Sequence, residues 1–256
     1  MKKFELKQSD AGYHLAVNNM LDNLLLIPGG SFTREDGNTV IVKTFYLSQF
    51  QVTQRLYEDV TSVNPSSFKG AQHPVESVSW FDAVKFCALL NDEYFSSEPQ
   101  KTPSLSNLVN LSDKELDSLK LNPTSAGFRL PTEAEWEYVS RGNNNQNTYA
   151  GSALLDLVGW YINNNNYETK PVGLKFPNAF GLYDISGNVW EWCWDWYGDY
   201  GKKKLDNPVG STSGTNLVDR GGSWLFGVGL RLHGDGSIIS PYYCNNFLGF
   251  RLAFVP

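Results

Sequence analysis

Three cysteines, three histidines and two carboxylates either side of a glycine are the residues of this 256-residue chain that could do chemistry. A thiolate is a nucleophile and a soft metal ligand; an imidazole carries protons and binds metals. Their spacing argues against both uses. Cys87, Cys193 and Cys244 are odd in number and far apart, with no Cys-x-x-Cys pair, so neither a disulfide framework nor a zinc site is indicated. Cys87 falls on an apolar helical face and Cys193 among tryptophans, and both read as small core residues. His14, His73 and His233 form no local His-x-x-x-His motif; only folding could gather them, and a lone histidine is more often structural or exposed. Asp184 and Glu191 bracket Gly187 beside Trp190 and Trp192, where a carboxylate must be paired or hydrated.

Composition narrows the classes further. A formal charge of -6 leaves no broad basic face, so no nucleic-acid partner is expected. No glycine spacing of the Rossmann or P-loop kind offers a seat to a nucleotide. Hydrophobic residues make up 41% of the chain, enough to bury a core, and eight Trp, 13 Tyr and 15 Phe beside two Met predict a rigid aromatic one. The cluster Leu24 to Ile27 is too short to cross a bilayer, so no transmembrane segment is expected. Met1-Lys2-Lys3 followed by polar residues is not a secretory leader. The expected location is cytoplasmic if Met1 is the natural start and the cell surface if a leader has been removed.

The elements that must position these residues follow from pattern. Leu24 to Ile27 then Pro28-Gly29-Gly30 reads as strand and turn, and Val40 to Phe50 as a strand pair. A first helix is predicted from about Thr53 to Thr61. A second starts at Ser79, with Trp80, Ala83, Val84, Cys87 and Leu90 on one face. Thr132 and Glu135 form a capping box for a third, which Gly142 stops. Residues 96–126, rich in Ser, Asn, Lys and Leu, read as a solvated insertion with its own capping box at Ser112 to Glu115. Asn143 to Asn147 and Asn163 to Asn166 read as surface loops. Trp190, Trp192, Trp194 and Trp196 alternate, which places four rings on one face of an extended segment as a core wall.

Five ordered segments, covering most of the chain from about residue 24 onward, resemble the formylglycine-generating, sulfatase-modifying family. They are Ile27 to Phe32; His73-Pro74-Val75 with Ser79-Trp80; Arg129 to Glu137; Gly181 to Trp192; and Arg220-Gly221-Gly222-Ser223-Trp224 joined to Gly249-Phe250-Arg251-Leu252. The resemblance implies one α+β domain over residues 1–256, with a C-type-lectin-like fold of the formylglycine-generating enzyme type. It also implies a reaction, the oxygen-dependent conversion of a substrate cysteine to an aldehyde, in which two thiolates hold copper(I). Those thiols fall two residues after Trp224 and five further on, which here are Phe226 and Arg231. Neither can replace a soft thiolate donor, so no catalytic residue and no copper are expected. Cys244, thirteen residues past the second position, has no cysteine partner nearby. A related iron-dependent branch draws histidines from an extra N-terminal domain, which these three histidines do not resemble.

A third branch, the variable proteins diversified by retroelements, is more similar over residues 224–248. Pro241 and Leu248-Gly249-Phe250-Arg251-Leu252 match its pattern in register. The variable, ligand-contacting positions this implies are Leu225, Phe226, Gly227, Gly229, Leu230, Asp235, Ser237, Ile238, Ile239, Ser240, Tyr243, Asn245, Asn246 and Phe247. The residues themselves agree: 24 residues between two patterned anchors show neither helical nor strand periodicity, yet carry Leu, Phe, Ile and Tyr. That is the composition of a binding surface. Inward packing of Leu225, Phe226, Ile238 and Ile239 is the alternative. The expected function is non-catalytic binding of a macromolecule, most simply a protein, by a monomer. An oxidoreductase of the formylglycine-generating type is the runner-up, and an accessory domain without a ligand the third reading.

The resemblance implies one more site. In the similar enzymes calcium binds around the Asp184 to Glu191 run, which would offer the side chains of Asp184 and Glu191 and the carbonyls of Gly187 and Val189. All are oxygen donors, as Ca²⁺ requires, and the ion would be structural. The competing reading is that the carboxylates only bond backbone amides of a tight turn.

Overall fold

The computed structural model describes residues 18, 20–34, 36–94, 126–142, 148–198, 205–211, 213–226 and 237–256. Three small sheets organise it. Strands β1 (Leu24–Ile27) and β2 (Gly30–Thr33) meet at Pro28-Gly29, and a Cβ on Gly29 would lie 2.8 Å from the Val42 carbonyl oxygen. β3 (Thr39–Val42) and β4 (Phe45–Ser48) are the two strands expected over Val40 to Phe50, but they do not pair with each other: each joins a different sheet. One sheet runs β1-β4-β11-β5, with β5 at Gly127–Arg129 and β11 at Ala253–Val255, so the last strand is inserted between an early strand and a mid-chain one. A second runs β2-β3-β7, with β7 at Leu205–Asp206.

The third sheet carries the functional argument. Its order is β10-β6-β8-β9, from β6 (Trp190–Trp196), β8 (Leu217–Arg220), β9 (Ser237–Ile239) and β10 (Leu248–Gly249). The alternation along β6 separates two cores. Trp190, Trp192 and Trp194 enter a cluster with Trp80, Phe81, Phe86 and Phe250, against which Trp196 packs half-buried. Cys193, facing the other way, enters a cluster with Trp136, Val139, Ile185 and Val218. The indole N–H groups are satisfied inside: Trp192 donates to the Val78 carbonyl at 3.0 Å and Trp80 to that of Cys193 at 2.9 Å. The expected aromatic wall is therefore the main core.

Helices begin where the caps predict. α1 (Gln54–Thr61) is capped by the Thr53 hydroxyl, which accepts from the Leu56 amide. α2 (Trp80–Tyr94) starts from Ser79, whose hydroxyl accepts from the Asp82 amide while Asp82 accepts from the Ser79 amide. Its predicted face, Trp80 to Leu90, is buried. α3 (Glu133–Arg141) carries the full Thr132–Glu135 capping box and ends at Gly142, and a short α4 (Leu155–Val158) follows. The predicted insertion, apart from Ala126, and the loop Asn143 to Asn147 lie outside the described residues. Among the described residues no helix is long and apolar enough to cross a membrane.

Candidate functional site

The motif at 220–224 is fixed from beneath by charge. Arg220 pairs with Glu133 at the start of α3, and Glu133 and Glu137 also pair with Arg34 at 3.2 and 2.7 Å. Gly221 and Gly222 follow at φ +108° and +83°; a Cβ on Gly221 would also meet the Ile185 carbonyl at 3.1 Å and Trp136 at 3.2 Å. Trp224 is then buried edge-on against Phe68 at 5.1 Å, and its indole donates to the Asn246 carbonyl at 2.9 Å. That bond ties the first anchor to the second. At the second anchor a Cβ on Gly249 would lie 2.3 Å from the Val75 carbonyl oxygen, so β10 approaches that backbone more closely than a side chain allows.

Between the anchors the chain turns aromatic side chains outward. Leu225 is 37% exposed, Phe226 38% and Tyr243 38%. Their rings form a ladder: Trp190 to Phe226 at 5.9 Å, Phe226 to Phe247 at 5.8 Å, and Phe247 to Tyr243 at 6.4 Å. The foot of the ladder is the core wall and its head is at the surface. Ser240 is exposed, Asn245 and Asn246 are half-buried, and Asn245 donates to the Tyr243 hydroxyl at 2.9 Å. Ile239 and Phe247 pack partly against the first core, so inward packing holds for Ile239 but not for Leu225 and Phe226.

Two expectations need correction. The stretch is not wholly irregular: Ser237, Ile238 and Ile239 form β9, antiparallel to β8, a run too short for periodicity to register. The Asn163 to Asn166 loop is not simply solvated. Asn165 is fully buried and its side-chain amide donates to the Trp224 carbonyl, while the Ile162 amide donates to the Phe226 carbonyl at 3.1 Å. Burial of a polar side chain is compensated only when it is hydrogen-bonded, and this one is. Sequence reading also passed over Tyr242, which is 51% exposed and whose ring lies 5.0 Å from that of Phe81. Gly227, Gly229, Leu230, Arg231, Asp235, His14 and His233 lie outside the described residues.

The backbone under this face is held at fixed points. Ser77 donates to the Asn245 carbonyl at 2.9 Å, Trp190 to that of Phe247 at 2.8 Å, and Trp80 to that of Pro241 at 3.2 Å. Beside Ser77 the buried Glu76 carboxylate accepts from the Phe68 amide and the Ser77 hydroxyl, each at 2.8 Å, and burial raises its pKa above the usual glutamate range. Cys87 and Cys193 are buried as expected and pushed well up in pKa by desolvation, whereas Cys244 is exposed. His73 meets the Thr169 hydroxyl at 2.9 Å, and burial lowers its pKa.

At the Asp184 to Glu191 turn the structure brings three of the four anticipated oxygen donors to one point. The carbonyls of Gly187 and Val189 and Oε1 of Glu191 lie 3.2, 3.0 and 2.9 Å from Nε2 of Gln51, joined by the Asp184 carbonyl at 3.3 Å. The Asp184 carboxylate instead accepts from the Gly173 amide at 2.8 Å through Oδ2; burial pushes it up to about 6. A calcium ion holds its oxygens at about 2.3–2.6 Å. The donor set suits such an ion, but the centre of the set is the Gln51 nitrogen.

Residues 14–255 match a family described as the sulfatase-modifying factor enzyme 1-like domain. The chain is 35% identical over 235 residues to the chaperone protein LppX of Paenibacillus barcinonensis, covering 81% of this chain and 80% of that protein. It is 34% identical over 170 residues to the formylglycine-generating enzyme of Mus musculus, covering 60% of this chain but only 36% of the enzyme's length. Among solved structures, Treponema denticola variable protein 1 superposes with a TM-score of 0.80 at 32% identity, covering 91% of this chain and 95% of that one.

Proposed function

This chain belongs to the sulfatase-modifying factor enzyme 1-like family, and on that premise we propose that it is a non-catalytic binding protein presenting a diversified face on a C-type-lectin-like α+β frame. The observation that carries this reading is Phe226. At the position where the similar enzymes place their first reactive thiol stands a ring with no donor atom, 38% exposed and held edge-to-face by Trp190 and Phe247 between core and surface. Such a residue offers contact area and no redox chemistry.

The ligand is a protein. Half-exposed Phe, Tyr and Leu interspersed with Asn and Ser give rigid apolar contact with adaptable hydrogen bonding, the mixture that suits a folded polypeptide surface. One relative is named a chaperone protein and another a variable protein, names that fit binding without turnover. The buried ion pairs under the face explain how its residues could vary while the frame stays the same.

A display library tests the reading. Leu225, Phe226, Tyr243, Asn245 and Asn246 are randomised together with Arg220 to Trp224 and Gly249 to Leu252 untouched. Most members should remain folded, and selection against unrelated proteins should return distinct binders. A library whose members mostly unfold would contradict a variable face.

A further inference from the structure

Four oxygen atoms from one turn and the strand after it converge on a single side-chain nitrogen, Nε2 of Gln51, at 2.9 to 3.3 Å. A primary amide has two hydrogens, so it cannot serve four acceptors with straight bonds. Three inward-pointing carbonyls and a carboxylate are instead the surroundings of a cation. The amide cannot be reversed, because Oε1 would then face four acceptors and no donor. We infer that Gln51 is a built-in substitute for a divalent cation: its NH₂ group, carrying partial positive charge, fills the seat and closes the turn without metal.

The charges around the seat agree. Glu191, which a cation would otherwise neutralise, receives two hydrogen bonds from Arg251 at 2.6 and 2.7 Å and one from the Trp136 indole at 2.8 Å. The turn also needs a clasp. Asp184 and Asn188 sit at φ +59° and +67°, a left-handed conformation that costs a residue with a side chain and is held here by its surroundings. The clasp bears on the ligand face, since the Asn188 carbonyl accepts from the Trp224 amide at 2.8 Å. Substitution is incomplete: Oε1 of Gln51 and Oδ1 of Asp184 have no partner among the described residues. A cleft of about 450 Å³ lined in part by Ser48, Thr53 and Leu252 reaches Gln51 from the side away from the four oxygens' own residues.

The test is thermal melting of the full chain in excess EDTA and in millimolar calcium. The unaltered protein should show the same Tm in both. Gln51→Gly should melt lower in EDTA and recover saturably with calcium, and terbium luminescence excited through Trp136 should appear in this variant and not in the parent. If Gln51→Gly does not fold, Gln51→Glu keeps the shape but sets a carboxylate against the carbonyls, and it should need calcium for the parent's Tm. A parent destabilised by EDTA would overturn the inference, as would a folded variant that gains neither calcium nor terbium response.

Discussion

The Arg251 guanidinium and the Glu191 carboxylate, both without solvent exposure, share two hydrogen bonds and lock the segment before β11 to strand β6. The same arginine reaches the carbonyls of Ser48 and Tyr183, so one side chain joins three parts of the frame. Removing it strands a carboxylate where water cannot reach. Arg251→Ala should therefore cost about 3–5 kcal/mol in urea unfolding, in proportion to an uncompensated buried charge. In the same measurement Leu225→Ser and Tyr243→Ala should each shift stability by less than about 1 kcal/mol, as surface changes do. Equal losses would erase the distinction between frame and face.

Glu76 gives the pH dependence. Desolvation holds its pKa above the ordinary glutamate range, partly opposed by the hydrogen bonds from Phe68 and Ser77. The native state then holds its proton more tightly than the unfolded state. Its contribution to stability is greatest below the unfolded pKa and declines as pH rises through the raised native one. Glu76→Gln, which can keep an acceptor for the Phe68 amide, should remove that decline. Unfolding free energies measured for both proteins from acid to neutral pH should converge at the acid end and separate in favour of the variant toward neutrality. Parallel curves would contradict the assignment.

Asn165 holds the backbone at Trp224 from a loop 59 residues earlier in the chain. Asn165→Ala leaves the Trp224 carbonyl without that donor and should cost about 1–3 kcal/mol. The informative readout is local: hydrogen exchange at the Ile162 amide, which donates to Phe226, should accelerate more than exchange within β6. Uniform acceleration would mean only global weakening.

Much of this frame is legible in sequence because its signals are local. The Thr132–Glu135 capping box, the Ser79 start of α2 and the alternating tryptophans of β6 each lie within a few residues, and each folds as its spacing dictates. The Gln51 clasp is not legible: its partners are 133 to 140 residues away and a single glutamine has no period. Asn165 is not legible either, because an asparagine-rich run has the composition of a solvated loop, whereas its burial depends on a carbonyl 59 residues on. Leu225 and Phe226 could be placed outward only by composition, since nothing in their spacing distinguishes display from burial.

The reaction itself tests the central claim most directly. The purified, untagged chain is incubated with a Cys-x-Pro-x-Arg peptide, copper and oxygen, and the peptide is examined by mass spectrometry for conversion of its cysteine to an aldehyde. With Phe226 in place of a thiolate, the account predicts peptide recovered with no aldehyde above the enzyme-free control. Turnover of the cysteine to an aldehyde would contradict it.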